Sequence, residues 1–576
     1  MNTLVIVLIA AVVLVCAYAG YGRWLAKTWG VDPNAKTPAV RLEDGKDYVP
    51  TNGWTVFAHQ FSSIAGAGPV TGAIQAAAFG WLPVLLWVLI GGVFFGAVTD
   101  FGALYASVKN DGKSMGLLIE KYIGKTGRKL FLLFCWLFCG IVIAAFADMV
   151  AGTFNAFDAE GAPVEAAFTN GAAGMVSIMF MVFAVVFGFI QKKFNFSGWR
   201  EAVIGIVFIV LSFAVGMNCP LVFGKAAWSY ITFVYIFFAA VLPMWMLKQP
   251  RDYMTTFMFG AMIAGAVIGL LVAHPTMNLP VFTGFNNAKL GTMFPILFVT
   301  VACGAVSGFH SLVSSGTSSK TVENEKDMLK VGYGAMVLES LLAVLALCVA
   351  GAAAAADGTP ATGTPFQIFS RGVAGFFEMF GVPVSIATVF MTMCVSALAL
   401  TSLDAVARIG RMSFQELFSV DDMEHAEDWR KLCCNVYFST FITLVFGFIL
   451  TQIGYANIWP LFGSANQLLS ALVLATLCVF LKVTGRNNKM LFPPLVIMLC
   501  VTFTALVQRL IAMVKAISAA ASTAIPAGET TWGAVFIANG LQLILAVLLI
   551  VLGLNIVFHS VKSYTTCDAP EAKATV

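Results

Sequence analysis

The chain has 576 residues, of which 59% are hydrophobic and 11% are charged, and its formal net charge is +4. Soluble proteins carry about 25% charged residues, so this composition excludes a surface that faces water throughout, and most of the apolar surface must face lipid or the inside of a helix bundle. Lysine and arginine occur in short clusters between apolar runs. We therefore expect a lipid bilayer as a partner and no nucleic acid.

The apolar runs predict an all-α polytopic membrane protein. A helix needs about 20 apolar residues to cross a bilayer, and long unbroken runs are not those of a β-barrel. Runs of this length predict about fifteen transmembrane helices. They lie near residues 3–20, 54–78, 82–108, 130–155, 171–190, 199–217, 227–247, 254–273, 291–316, 328–356, 382–404, 432–450, 457–481, 491–515 and 531–558.

The loops between these spans alternate in their basic residues. Arg23 and Lys27 follow the first span, Lys192 and Lys193 follow the fifth, and further clusters follow every second span up to the thirteenth. Cytoplasmic loops are the ones enriched in lysine and arginine. The alternation predicts an N-terminus outside the cell and a cytoplasmic C-terminus.

The second predicted span, residues 54–78, contains Gly66, Gly68 and Pro69 at its centre. Proline lacks an N–H and clashes with the preceding helical turn, and glycine permits unwound backbone. We therefore expect two half-helices joined by an irregular stretch. Lipid tolerates such a break only where it lines a cavity or is buried in protein.

The ninth span has a similar composition, with Gly304 and Gly308 among hydroxyl residues. The predicted topology makes it cross the membrane in the direction opposite to that of the second span. Two interrupted helices of opposite orientation are typical of an inverted-repeat secondary transporter that binds its substrate at the midplane. The free N–H groups near residues 67–70 suit a carboxylate. The alternative is that these small residues only permit close helix packing.

Candidate substrate-binding residues are the polar and small residues of the two broken helices. They are His59, Ser62, Ser63, Gly66, Gly68, Ser307, Gly308 and His310.

Ionisable residues inside predicted spans are costly and often functional. We expect His59 or Asp100 to carry a coupling proton, ahead of Asp148, Glu339 and His310. The alternative for each is a buried, hydrogen-bonded structural role.

The eleventh span ends with further candidates. Thr401 and Ser402 are adjacent hydroxyls that could help to coordinate Na⁺, or could instead bond back to the preceding helical turn. Asp404 and Arg408 lie four residues apart on one helical face, which predicts an ion pair and, as the second interpretation, a gate.

No constellation of nucleophile, base and metal ligands occurs in the sequence. The HExxH motif is absent, and the twelve cysteines include no CxxC pair. We therefore expect no enzyme activity, no catalytic residue, no metal site and no cofactor other than a coupling ion.

Four strings carry a resemblance to a known family: HQFSSIAGAGPVTGA at 59–73, SGFHSLVSSGTSSK at 307–320, TSLDAVARIGRMSFQE at 401–416 and FGSANQLL at 462–469. From the first span to about residue 558, the chain resembles the carbon starvation protein A family. The resemblance implies a bacterial inner-membrane protein that takes up peptides or pyruvate, coupled to an ion gradient, when carbon is short.

The resemblance also implies a LeuT-like core of two five-helix inverted repeats. It divides the chain into residues 1–53, the first helix and a cytoplasmic linker; 54–217, the first repeat; 218–290, two inserted helices; 291–481, the second repeat; and 482–576, two helices and a short cytoplasmic tail. On that pattern a Na⁺ site would lie at Ser63, Gly66, Leu398, Thr401 and Ser402, with Asp100 as the proton alternative.

Three alternatives stay open at this point. The substrate could be pyruvate or a short peptide, and the coupling ion could be H⁺ or Na⁺. The chain could also be a channel or a membrane-embedded nutrient sensor, although it has no repeated charged ring or filter segment that a channel would need.

Overall fold

A computed structural model describes residues 2–44, 48–158, 160–194, 198–243, 246–287, 290–420, 422, 425–522 and 532–567, without the side chains of 520–522 and 532–537. The tail predicted beyond the last helix lies outside the described residues from position 568 onward. The regular elements are helices, with one antiparallel pair of two-residue strands, Asn286–Asn287 and Gly291–Thr292.

The α-helices are, in chain order, α1 (Thr3–Ala17), α2 (Arg23–Trp29), α3 (Pro38–Arg41), α4 (Gly53–Ile64), α5 (Gly68–Ala76), α6 (Trp81–Gly91), α7 (Ala97–Val108), α8 (Met115–Ile123), α9 (Lys125–Phe154), α10 (Ala167–Phe194), α11 (Trp199–Asn218), α12 (Lys225–Val241), α13 (Lys248–Ala273), α14 (Met293–Val301), α15 (Gly308–Gly316), α16 (Ala335–Ala353), α17 (Pro365–Glu378), α18 (Val384–Phe418), α19 (Asp428–Cys434), α20 (Val436–Thr451), α21 (Tyr455–Val483), α22 (Phe492–Ser522) and α23 (Trp532–Thr566). Short π-helical segments join α1 to α2, α6 to α7, and the turn at Glu325–Asp327 to α16.

Twelve helical segments of the described chain are long and apolar enough to cross a membrane. The bent pair α19–α20 would make a thirteenth. The predicted all-α polytopic class is therefore confirmed. Helices also occupy the other predicted spans, but α12 has only 17 residues and the second span is split, so the count of fifteen stays a prediction.

The predicted interruption of the second span is present. Helix α4 ends at Ile64, and α5 begins at Gly68 with Pro69 in its first turn. Proline is tolerated there because the first N–H groups of a helix have no intrahelical partner. The chain therefore turns through three residues in the middle of a span.

The ninth span is interrupted as well. Helix α14 ends at Val301, a single 3₁₀ turn covers Ala302–Gly304, and α15 begins at Gly308. Ala302 has a φ of +30°, a backbone angle that residues other than glycine rarely adopt. The surrounding packing must hold this residue in place.

Helix α21 is the buried centre of the bundle, since every residue in its most apolar stretch is buried. It contacts α9, α14 and α15. A methyl group at Gly463 would lie 1.9 Å from the carbonyl oxygen of Val299 in α14, and one at Gly308 would lie 2.6 Å from the carbonyl oxygen of Asn466 in α21. Both halves of the ninth span therefore pack directly against the backbone of α21.

Helix α17 was not predicted. Its 14 residues begin with a capping box between Thr364 and Gln367, and one face is buried. It packs against α16 and α18, so it covers part of two core helices.

Candidate functional site

A small cavity lies where the two helix interruptions meet. The first interruption contributes Gly66 and Gly68, and the second contributes Cys303, Phe309 and His310. The rest of its wall comes from the end of α4 and from α9, α18 and α21. Those residues are Ile64, Phe138, Val142, Phe146, Ser402, Val406, Phe462 and Asn466.

Two glycines allow the first interruption to approach its neighbours. A methyl group at Gly66 would lie 2.1 Å from Ser402 Oγ, and one at Gly68 would lie 2.5 Å from Cys303 Sγ. Neither separation is physically possible for a real side chain. The sequence places glycine at both positions, and the unwound backbone therefore contacts α18 on one side and the second interruption on the other.

Asn466 holds the second interruption. Its Nδ2 donates to Ser307 Oγ at 3.1 Å and to Cys303 Sγ at 3.4 Å, and its Oδ1 accepts the backbone N–H of Phe309 at 3.1 Å. A polar side chain in an apolar interior is stable only when it is bonded in this way. The amide of α21 therefore replaces the helical hydrogen bonds that the break removes.

The half-helices α4 and α15 are joined directly by Gln60. Its Nε2 donates to Ser314 Oγ at 2.8 Å, and the Ser318 hydroxyl donates to Gln60 Oε1 at 2.5 Å. All three side chains are fully buried. The two broken spans are thus connected through Gln60 as well as through the residues around the cavity.

Three ionisable side chains meet beside the cavity. His310 Nδ1 lies 3.0 Å from Asp100 Oδ2, and His310 Nε2 lies 3.3 Å from Glu339 Oε2. The three residues come from α15, α7 and α16, and each side chain is 0% exposed. We call this group the buried triad. All three residues are candidates from the sequence alone, but the sequence does not pair them.

Five of the eight predicted substrate-binding residues lie elsewhere: His59, described below, and four others. Ser307 is bonded to Asn466, and Gly308 packs against α21. Ser62 donates to the backbone carbonyl of His59 at 3.1 Å, and Ser63 is buried without lining the cavity. Of the predicted substrate contacts, only Gly66, Gly68 and His310 line the cavity.

His59 does not line the cavity, and the charged groups that act on it are Lys248 and Asp252 at the start of α13. Thr401 donates to the carbonyl of Ala397 at 2.8 Å, which is the helical back-bond foreseen as the alternative. Leu398 is buried. Of the residues expected for Na⁺, only Gly66 and Ser402 line the cavity.

The ion pair predicted between Asp404 and Arg408 is present, with Arg408 Nε 3.1 Å from Asp404 Oδ1. Arg251, which is 1% exposed, binds the other oxygen of Asp404 at 3.1 Å and also contacts Tyr235. Asp404 therefore joins α18 to α13. Arg408 extends the contact to backbone carbonyls at the end of α12.

Asp148 has a separate structural role. It pairs with Lys225 at 2.8 Å and accepts the N–H of Tyr455 at 2.8 Å. Within the described ranges, no three histidine, cysteine, aspartate or glutamate side chains form a group that could hold a metal ion.

Asn466, Gln60 and Cys303 were missed as site residues. Asn466 lies in one of the strings that carry the family resemblance, and an amide inside an otherwise apolar span could have identified it. Cys303 lies in an apolar run, as most cysteines of this chain do, so its residue type does not distinguish it. Its place in the wall depends on the break, which the sequence does not position to a single residue.

Comparison with known proteins gives a consistent family. Residues 2–359 and 351–505 match the family model described as carbon starvation protein CstA. The peptide transporter CstA of Bacillus subtilis is 31% identical over 85% of this chain and 87% of its own length. The peptide transporter CstA of Escherichia coli is 31% identical over 88% and 80%, respectively.

The pyruvate/proton symporter BtsT of Escherichia coli is 36% identical over 61% of this chain and 49% of its own length. A crystal structure of the Eremococcus coleocola manganese transporter aligns over 91% of this chain and 99% of that chain, with a TM-score of 0.43 and 11% identity. By the family model and the two full-length relatives, the chain belongs to the carbon starvation protein CstA family.

Proposed function

We propose that the protein is an ion-coupled secondary transporter that imports a small carboxylate-bearing nutrient, pyruvate or a short peptide, across the bacterial inner membrane when carbon is scarce. The observation that carries the proposal is the meeting of two interrupted helices at one buried cavity. Interrupted spans of this kind hold the substrate in secondary transporters. The names of the relatives, peptide transporters and a pyruvate/proton symporter, support the same class.

Recognition of a carboxylate follows from the backbone. Helix α5 begins at the cavity with Gly68, and Phe309 and His310 in the first turn of α15 line it as well. The first N–H groups of a helix have no intrahelical partner, and among those of α15 the N–H of Phe309 is bonded to Asn466. The N-terminal end of a helix carries partial positive charge and favours anions. A solute carboxylate would therefore lie between the two half-helices.

The lining of the cavity favours pyruvate over a peptide. Four phenylalanines narrow it: Phe138, Phe146, Phe309 and Phe462. A short peptide is the second candidate, favoured by the relatives that are named peptide transporters.

Uptake into proteoliposomes tests the proposal. Labelled pyruvate and labelled dialanine are supplied in separate experiments, with an inward H⁺ gradient or an inward Na⁺ gradient imposed separately. We expect pyruvate to accumulate above its external concentration under one of the two gradients. Downhill flux without accumulation would indicate a channel. No flux of either solute, in vesicles that contain correctly folded protein, would contradict the proposed function for these substrates.

A further inference from the structure

The buried triad has too few positive charges for its two carboxylates. With His310 as an imidazolium and both carboxylates ionised, the group has one net negative charge. No lysine or arginine forms an ion pair with Asp100, His310 or Glu339 in the described part of the chain. An uncompensated charge inside a membrane protein costs several kcal/mol. One additional proton on a carboxylate would make the group neutral.

The hydrogen bonds of the triad are also incomplete. Asp100 Oδ1 and both side-chain oxygens of Glu339 are buried without a hydrogen-bond partner among the described residues. Buried carboxylate oxygens are normally bonded, and an oxygen without a partner is tolerated far better on a neutral carboxylic acid than on an anion. The unbonded oxygens therefore offer a position for a proton, and the charge balance favours a proton there.

The triad is connected to the cavity through one side chain. His310 lines the cavity, and both of its ring nitrogens face the carboxylates. It lies in the first turn of α15, directly after the interruption that Asn466 holds. Any solute that moves the start of α15 would therefore also move the imidazole between Asp100 and Glu339.

We propose that Asp100, His310 and Glu339 bind the coupling proton, and that the charge of this triad sets the affinity of the adjacent cavity for a carboxylate. This inference depends on the proposed function. An unprotonated triad repels a solute anion through its net negative charge, whereas the neutral, protonated triad does not. Because linkage is reciprocal, the bound solute favours protonation by the same factor. Proton and solute then cross together.

Among the residues that the structure describes, one further titratable group faces the triad. Cys303 lies in the wall of the cavity near Glu339, and its sulfur accepts a hydrogen bond from Asn466. Both the thiol and the hydroxyls around it are neutral, so they leave the charge of the triad unchanged. Asp404 and Arg251 form their own network on other helices.

The test separates solute exchange from proton-driven uptake. Glu339→Gln and Asp100→Asn are reconstituted into vesicles that contain a trapped pH-sensitive dye. We expect each variant to keep pyruvate counterflow within about threefold of that of the unchanged protein. Under a pH gradient, pyruvate accumulation should fall at least tenfold below that of the unchanged protein, and the pyruvate-dependent acidification should be lost. Asp148→Asn is the matched control, because it also converts a largely buried carboxylate to an amide, and it should keep all three activities.

The outcomes distinguish the inference from the function on which it depends. Absence of counterflow in the unchanged protein contradicts the proposed function. Proton-coupled accumulation in both carboxamide variants overturns only the triad. If neither variant folds, infrared difference spectra of the unchanged protein decide: addition of pyruvate should change the carbonyl stretching band of a protonated carboxylic acid, and a spectrum without such a change overturns the proposal.

Discussion

Position 66 has room for a hydrogen atom and no side chain. The Oγ of Ser402 would lie 2.1 Å from a methyl group there, although the Cβ of Ser402 would lie 3.3 Å away. The obstacle is thus a single hydroxyl oxygen on a neighbouring helix. This makes Gly66 a sensitive test of where α4 and α5 contact α18.

We predict that Gly66→Ala lowers the initial rate of pyruvate uptake by roughly tenfold or more, because overpacking costs about 1–3 kcal/mol and displaces the unwound segment. The double variant Gly66→Ala, Ser402→Ala should recover much of the loss relative to Ser402→Ala alone. Uptake into proteoliposomes with matched amounts of protein gives both comparisons.

Gly260→Ala is the control for this cycle. Gly260 lies within α13, and a methyl group added to it would have no neighbouring atom within 4 Å, so alanine should leave transport unchanged. If Gly66→Ala transports normally, or if Ser402→Ala brings no recovery, the contact between the first interruption and α18 is not the one described.

Residues at the site could be predicted from the sequence better than their partners could. Gly66 and Gly68 could be found because glycine beside proline predicts a break in a helix, and His310 because an ionisable side chain is rare inside a span. The pairing of His310 with Glu339 and Asp100 could not, because three helices must first pack, and hydropathy carries no information about which faces meet. Asn466 was missed as a site residue for the same reason.

At the scale of elements, apolar runs predicted the long helices. Glycine with proline predicted the first interruption, and glycines among hydroxyl residues predicted the second. Helix α17 was missed because its 14 residues are amphipathic and too short to span a bilayer. Its N-terminus did carry a readable signal: Thr364 and Gln367 form a capping box, and Pro365 is the first helical residue. Hydropathy cannot detect such a helix, whereas capping residues can.

Three helices are held together at Asp404. Arg251 of α13 and Arg408 of α18 bind its two oxygens, and Arg408 also reaches the carbonyl oxygens at the end of α12. The carboxylate is 0% exposed, so little water is available to replace it. Its loss would leave two guanidinium groups adjacent and short of negative charge.

We predict that Asp404→Asn destabilises the protein by about 3 kcal/mol, the lower end of the range for removing one partner of a buried ion pair, because Asp252 still neutralises Arg251. Thermal unfolding of the detergent-purified protein, followed by size-exclusion chromatography, measures the shift. Glu427→Gln is the control. Its pair with Arg430 is exposed, and such pairs contribute about 0–1 kcal/mol. Equal midpoints for the two variants would contradict the role of Asp404.

For the whole molecule, we predict the orientation of the chain in the membrane. The helical bundle alone does not determine which end faces the cytoplasm, because both orientations bury the same core. The basic residues do: Arg408, Arg411, Arg430 and Lys431 flank the segment between α18 and α19, whereas Arg371 is the one basic residue of the segment between α16 and α18. The positive-inside rule then places these two segments on opposite sides.

Epitope tags inserted into the full-length chain test this orientation. A tag after Asp357 should be bound by antibody in intact spheroplasts, and a tag after Asp422 should be bound only after permeabilisation. The reason is that one membrane span, the one containing α18, lies between the two positions. Uptake of pyruvate by both tagged chains shows that they are folded. Exposure in the reverse order would mean that the N-terminus is cytoplasmic, and exposure of both tags on one side would mean that α17 and α18 together cross the membrane twice.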